Sequence, residues 1–346
     1  MSKQYKPPYH ISPAILNLVE QIGEALGKLH VPDDRVNMPL LRRGNRIRTI
    51  QASLEIEGNT LNLEQVTAVI DGKRVLGMPR EIQEVRNAFA AYEKLSDWSP
   101  YSRTDLLAAH SLLMAGLADE VGLFRSGGVG IYQGKKVVHV APPADRVPAL
   151  VDDLLDWLKN TDEHPLAASC IFHYEFEFIH PFQDGNGRLG RLWQTLILSQ
   201  WRPVFAMLPV ESIIRDRQRE YYKALGTTDQ TADITSFIEF MMGAILQTIE
   251  ETTFTSDQVI DHQSDQVISL LNALRKGKRS ASDIMAELGL AHKPTFRKNY
   301  LHPALEVGLI EMIYPETPRA PNQKYRLTAR GEKLLKTMDT RGEGHG

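Results

Sequence analysis

One stretch of twelve residues, His180-Pro181-Phe182-Gln183-Asp184-Gly185-Asn186-Gly187-Arg188-Leu189-Gly190-Arg191, gathers side chains that could do chemistry together. The His180 imidazole titrates near neutrality and suits a proton transfer. The Asp184 carboxylate is a hard oxygen donor of the kind Mg²⁺ prefers. Gly185-Asn186-Gly187 lets successive backbone N–H groups converge as a nest, and a helix starting there adds its positive end, so the natural guest is an anionic phosphate. Arg188 and Arg191, three residues apart, share one side of that helix, and each can fork onto phosphate oxygens. Each feature alone is commonplace. Together, at one helix start, they point to phosphate chemistry with a base beside it.

The elements that must hold this loop are legible around it. Ala167, Ile171, Tyr174 and Phe178 form an apolar stripe that predicts a helix before the loop, and a second helix runs from Leu189 to Leu198. Helical periodicity dominates from Ser12 to Thr252, as in Leu106, Leu107, His110, Leu113, Met114 and Leu117. One interruption, Val129 to Val140, holds two β-rich runs around a glycine turn and reads as a hairpin closed by Pro142-Pro143. Upstream, Ser53 and Glu57 stand four residues apart, on one face of a helix that Gly58-Asn59 can terminate.

Composition excludes several classes. With 42% hydrophobic and 24% charged residues the chain is neither disordered nor fibrous. No run approaches the ~18 apolar residues of a membrane span, and the N-terminus lacks a signal-peptide core, so a cytoplasmic protein without a membrane partner is expected. The single cysteine, Cys170, reads as a small buried hydrophobe. Residues 265–337 carry 13 Lys/Arg against 7 Asp/Glu, and the remainder carries 27 against 36, so a basic appendage joins an acidic body. Before it, Ser256-Asp257-Gln258-Val259 recurs as Ser264-Asp265-Gln266-Val267 in what reads as a polar linker. Helices at 267–274, 283–288 and 294–306, then strands at 309–313 and 324–327, follow in winged helix-turn-helix order. The expected divisions are 1–110, a helical region bearing Ser53 and Glu57; 111–250, a core bearing the loop; 251–266, the linker; and 267–338, the winged unit.

The twelve-residue stretch resembles the signature of the Fic family, His-x-Phe-x-(Asp/Glu)-Gly-Asn-Gly-Arg-x-x-Arg, at every defined position, and the likeness covers roughly residues 40 to 250. The resemblance implies a mainly α Fic-type helical core with a short β-hairpin flap, beside the C-terminal winged unit. It implies a nucleotidyltransferase, a protein adenylyltransferase that moves AMP from ATP to a Ser, Thr or Tyr hydroxyl of a target protein or of itself. His180 would be the general base and Phe182 the loop's anchor. Asp184 would hold Mg²⁺ or Mn²⁺, and Gly185, Asn186 and Gly187 would cradle the anion. Arg188 would face the β-phosphate and Arg191 the γ-phosphate. The hairpin, through Val129, Gly130, Ile131, Val137, Val138, His139 and Val140, resembles the family's target-docking flap. Gly122-Leu123-Phe124-Arg125 resembles the step before that flap, where Arg125 is given no chemical role and reads as structural support. Tyr221 and Tyr222 match a pair found near the nucleotide base, core packing being the equal alternative.

Ser53-Leu54-Glu55-Ile56-Glu57-Gly58 resembles the family's inhibitory motif, in which the glutamate pairs with the last signature arginine, here Arg191. Some relatives also remove AMP, and that alternative stays open. So does a second class of function, a DNA-binding regulator whose Fic core senses nucleotide or serves as an interaction module. Thr295, Arg297 and Lys298 are its candidate DNA contacts. Whether the chain forms a homodimer is also left open.

Overall fold

A computed structural model describes residues 7–29, 39–133, 136–261, 265–306, 308–315, 317, 320, 323–329, 331, 332 and 335. The side chains of 39–42, 130–139, 253–261, 265, 298 and 306 lie outside the description. The chain divides into two compact units, with cores between Ile15 and Ile249 and between Val267 and Leu335.

The first unit is helical. Its elements are α1 (Pro13–Lys28), α2 (Pro39–Ile56), α3 (Leu63–Ile70), α4 (Pro79–Glu93), α5 (Arg103–Met114), the hairpin β1 (Gly130–Gln133) and β2 (Lys136–Val140), α6 (Val147–Asn160), α7 (Pro165–Ile179), α8 (Asn186–Trp201), α9 (Val210–Asp216), α10 (Gln218–Thr231) and α11 (Thr235–Asp261). Proline opens α1, α4 and α7 at a position where a missing N–H costs nothing, and Ser12, Asn62 and Ser102 cap α1, α3 and α5 with side-chain oxygens. Helices α7 and α8 form the centre. Ile171, Phe172, Phe176, Leu189, Leu192, Trp193 and Leu196 have no exposed surface, so the loop joining the two helices hangs from the best-packed part of the protein.

Two expected boundaries move. The division at 110/111 falls inside α5, and the residues on either side of it share one core; the N-terminal region and the loop-bearing region are a single unit. Residues 251–261, expected as linker, continue α11, which stays in the core as far as Ile249. The hairpin is antiparallel, pairing Gly130 with Val140 and Gln133 with Lys136, and a bulge lies between Ile131 and Tyr132.

The second unit comprises α12 (Asp265–Leu274), β3 (Arg279–Ser280), α13 (Ala281–Glu287), α14 (Lys293–Phe296), a π-turn at Arg297–Leu301, α15 (His302–Glu306), β4 (Ile310–Met312) and β5 (Lys324–Leu327). The helix expected at 294–306 is thus interrupted by the π-turn. Strand β3, absent from the sequence expectations, joins an antiparallel sheet ordered β3-β5-β4. Three helical segments around a small sheet are compatible with a winged helix. Among the described residues no helix is long and apolar enough to cross a membrane.

Candidate active site

Helix α7 ends at His180, which adopts the left-handed conformation (φ 49°, ψ 61°) and caps the helix through its own N–H on Phe176 O. The unusual backbone turns the chain sharply into the loop. Its Nδ1 lies 3.4 Å from Glu177 O, an acceptor that suits the tautomer with the hydrogen on Nδ1.

Gly185, at φ 87°, reverses the chain into α8, and a Cβ there would strike Met114 Sδ at 2.7 Å. The first intrahelical bond of α8 is Leu189 N–H to Gly185 O at 3.0 Å. The N–H groups of Asn186, Gly187 and Arg188 therefore have no acceptor within the helix, as the nest requires. The Asn186 side chain does not face this nest. It accepts from Phe182 N–H at 2.9 Å and donates to Phe182 O at 2.8 Å, so it staples the loop, and only its backbone N–H is offered to an anion.

The two arginines are already partnered. Arg191, 2% exposed, donates through Nη2 to Glu57 Oε1 at 2.7 Å and to Ser53 O at 2.9 Å, and through Nε to Ser53 Oγ at 3.1 Å. Glu57 holds the Arg191 charge firmly in place: although burial opposes it, the carboxylate raises the guanidinium's pKa above its ordinary value. Glu57 follows the last turn of α2, where Gly58 at φ 91° ends the helix and frees the carboxylate to reach sideways. A Cβ on Gly187 would overlap Glu57 Oε1, so the carboxylate lies against the first turn of α8. Arg188 donates to Asp184 Oδ1 at 2.8 Å and to Glu84 Oε1 at 3.4 Å, while its Nε is buried with no hydrogen-bond partner among the described residues.

Asp184 is half exposed and also accepts from Arg80 Nη2 at 3.1 Å. The residues fit magnesium in the manner usual for nucleotide sites, one carboxylate with the remaining ligands from phosphate and water. Among the described residues no group of three or more His, Cys, Asp and Glu could hold a metal by itself.

Tyr221 and Tyr222 part company. Tyr221 is 2% exposed and its hydroxyl meets His173 Nε2 at 2.9 Å, so its ring belongs to the core, the alternative expected beside a base contact. Tyr222 is 48% exposed and its ring packs tilted on that of Tyr221, with centres 5.3 Å apart; partial burial, then the Glu57 charge, pushes its pKa up. In the hairpin, Val129 is half-buried and Val140 is 74% exposed; the side chains of Gly130, Ile131, Val137, Val138 and His139 lie outside the described residues. In the second unit Thr295 and Arg297 are exposed, and the Lys298 side chain lies outside the description.

Three positioning contacts were not specified by the sequence, although one of the residues, Arg125, stood in a family-like step. His110 accepts from Gly122 N–H at Nδ1 (2.9 Å), so Nε2 carries the hydrogen that it donates to Asp184 O (3.0 Å), and its ring stacks on Phe182 at 3.7 Å. Phe182 itself has no exposed surface and anchors the loop. Glu84, on α4, accepts from Arg188 and also from Asn59 Nδ2 at 2.9 Å. Arg125 donates to the carbonyl of His180 at 2.7 Å. A histidine on the apolar stripe of α5 and an arginine closing the step before the hairpin were the visible signals among these.

A helical unit in which a left-handed histidine closes one central helix and a glycine-rich nest opens the next, with a buried arginine one turn on, defines a Fic-type fold. Comparison with known proteins agrees: residues 100–198 match the Fic/DOC family, and residues 265–328 match the "Filamentation induced by cAMP protein Fic-like, C-terminal domain". A crystal structure of a Fic family protein from Desulfovibrio desulfuricans G20 is 62% identical, covering 94% of this chain and 99% of that one, with a TM-score of 0.71. The chain belongs to the Fic/DOC family. It is 27% identical over 252 residues to the protein adenylyltransferase Fic of Nematostella vectensis and 32% identical over 202 residues to the protein adenylyltransferase fic-1 of Caenorhabditis elegans. It spans 55% and 37% of the lengths of those two relatives, matching 67% and 55% of its own.

Proposed function

We propose that this chain transfers AMP from ATP to a protein hydroxyl and that Glu57 restrains it. The observation that carries the proposal is the pairing of buried Arg191 with Glu57 against the first turn of α8, a carboxylate occupying the guanidinium that would otherwise bind a terminal phosphate. The buried Nε of Arg188, without a partner among the described residues, and the N–H groups of Asn186, Gly187 and Arg188 are further donors suited to phosphate oxygens.

In the proposed reaction His180 Nε2 takes the proton of the attacking hydroxyl. The hydroxyl oxygen bonds to the α-phosphorus, the bridging bond to the β-phosphate breaks, and pyrophosphate leaves with its electron pair. Arg191 and Arg188 orient the leaving phosphates, and Phe182, Asn186 and His110 keep the loop in register. Asp184 would hold Mg²⁺ or Mn²⁺, which supplies positive charge to the phosphate oxygens. The hairpin would hold the target as an added strand, its main-chain bonds giving affinity with little sequence selection. Names of relatives support the AMP donor, since both are adenylyltransferases.

The test is incubation of the Glu57→Gly protein with α-labelled or γ-labelled ATP. Protein-bound label is expected from the α position only, and its loss is expected in Glu57→Gly with His180→Ala at undiminished ATP binding. A base of this kind is worth ~10²- to 10⁴-fold, so a His180→Ala protein keeping a tenth of the rate sinks the role of His180. Label arriving from the γ position, or none from either, overturns AMP transfer.

A further inference from the structure

Arg125 is 3% exposed, yet among the described residues no carboxylate pairs with it. Its guanidinium is held by carbonyl oxygens instead. Nε donates to His180 O at 2.7 Å, Nη2 to Ile179 O at 3.3 Å and to Pro142 O at 2.5 Å, and Nη1 to Gly127 O at 2.9 Å. The backbone N–H of Arg125 adds a bond to Pro181 O at 3.0 Å.

These acceptors come from two places with different tasks. Gly127 and Pro142 stand on the two sides of the hairpin, before β1 and after β2. Ile179 and His180 are the end of α7, whose last carbonyls lack intrahelical partners and carry the negative end of the helix dipole, a favourable place for a cation. Burying a charge without a counter-ion is costly unless its hydrogen bonds are made. All three guanidinium nitrogens make them here, so both roots of the hairpin and the histidine's own carbonyl are tied to one rigid plane.

The residues just before Arg125 follow the same path along the signature loop. Gly122, at φ 69°, passes so close to Ser111 that a Cβ would overlap its Oγ, and it donates to His110, which in turn holds Asp184 O. Phe124 packs tilted on Phe182 with ring centres 5.6 Å apart. From Gly122 to Arg125, then, the chain braces the loop at Asp184, at Phe182 and at His180.

We infer, on the footing of the proposed AMP transfer, that Arg125 is a positioning residue that sets the span between a target strand docked on the hairpin and the His180 imidazole. Geometry of that kind matters steeply, a misplacement near 1 Å costing on the order of 100-fold in rate. Lysine cannot replace it, because one ammonium nitrogen with three donors cannot reach four carbonyls spread around a plane.

The experiment compares Glu57→Gly with Glu57→Gly/Arg125→Lys and Glu57→Gly/Arg125→Ala, with rates normalised to ATP-binding sites so that any folding loss cancels. Self-transfer of label from α-labelled ATP is expected to fall about 10- to 100-fold in both double variants, while ATP affinity stays within about twofold. Millimolar methylguanidinium is expected to restore part of the rate to the Arg125→Ala variant, and none to the Arg125→Lys variant, whose side chain fills the gap. Unchanged transfer by Arg125→Lys, or ATP binding lost in parallel with transfer, makes Arg125 a fold residue only and overturns the inference. If the Glu57→Gly parent itself transfers no label, AMP transfer fails first and the inference falls with it, an outcome distinct from a working parent with an indifferent Arg125.

Discussion

Replacing Glu57 with glycine should lower stability and raise activity at once, and both magnitudes follow from one ion pair. The Arg191 side chain is 1% exposed and that of Glu57 is 33% exposed. Breaking a fully buried pair by deleting one partner costs about 3–5 kcal/mol. Here the carboxylate is partly screened by solvent, and Arg191 keeps its bonds to Ser53 Oγ and Ser53 O, so about 1–3 kcal/mol is expected. Glycine adds little backbone cost, since Glu57 already lies beyond the end of α2. For a unit of this size each kcal/mol moves Tm by ~2–4 °C, which predicts a drop of ~2–12 °C. The same 1–3 kcal/mol is what a triphosphate must overcome to displace the carboxylate from Arg191, equivalent to roughly 5- to 150-fold in binding. Initial rates of label transfer from α-labelled ATP below saturation should therefore rise by that factor, with Glu57→Gln intermediate because it retains an acceptor without the charge. A Glu57→Gly protein that melts lower but transfers no faster would refute restraint by this pair and leave Glu57 a structural counter-ion.

Two further outcomes are expected. Gly187→Ala should fold, because Gly187 has an ordinary helical φ and its nearest obstacle is the movable end of Glu57; even combined with Glu57→Gly it should transfer no AMP, since the methyl fills the nest, and a fast double variant would move the phosphate elsewhere. His173, buried between Gln194 and Tyr221, has its pKa pushed down by burial to about 4, so the folded protein favours the neutral ring; its contribution is intact above the unfolded value near 6.5 and is lost as pH falls towards 4, a difference of roughly 3 kcal/mol. Melts between pH 7 and pH 4 should accordingly show a smaller decline for His173→Gln than for the unaltered protein, and equal declines would remove His173 from the acid response.

How much of this was legible in sequence depended on the distance over which each decision is made. The nest, the arginine spacing and the placing of Glu57 at a helix end are local, set within a turn or two by glycine, by helix period and by the Gly58 stop, and the structure realises each. Tyr221 and Tyr222 are neighbours about 100° apart on α10, so only one can face the core; which one depended on His173, 48 residues away, offering an acceptor to Tyr221. Asn186 looked like part of an anion cradle because its side chain could serve an anion or the loop, and the turn geometry at Gly185 chose the loop. Arg125 and His110 act on residues 55 and 74 positions away, and nothing local marks a guanidinium that will bind carbonyls instead of carboxylates.

The internal pairing of the site bears on what nucleotide binding would involve. Arg191 is held by Glu57, Arg188 by Asp184 and Glu84, and Asp184 by Arg188 and Arg80, so no full charge at the loop lacks an opposite within 4 Å. An incoming triphosphate would therefore exchange ionic partners and would not simply fill a basic pocket. It would turn Glu57 away from Arg191 and compete with Asp184 for Arg188, leaving Asp184 available to a cation that the triphosphate itself brings. The carboxylates on the N-terminal side are linked, since Asn59, two residues beyond Glu57, donates to Glu84. In the proposed restraint, then, the turn after Glu57 also carries the contact to the carboxylate that holds Arg188, so releasing Glu57 from Arg191 would bear on both arginines through Asn59 and Glu84.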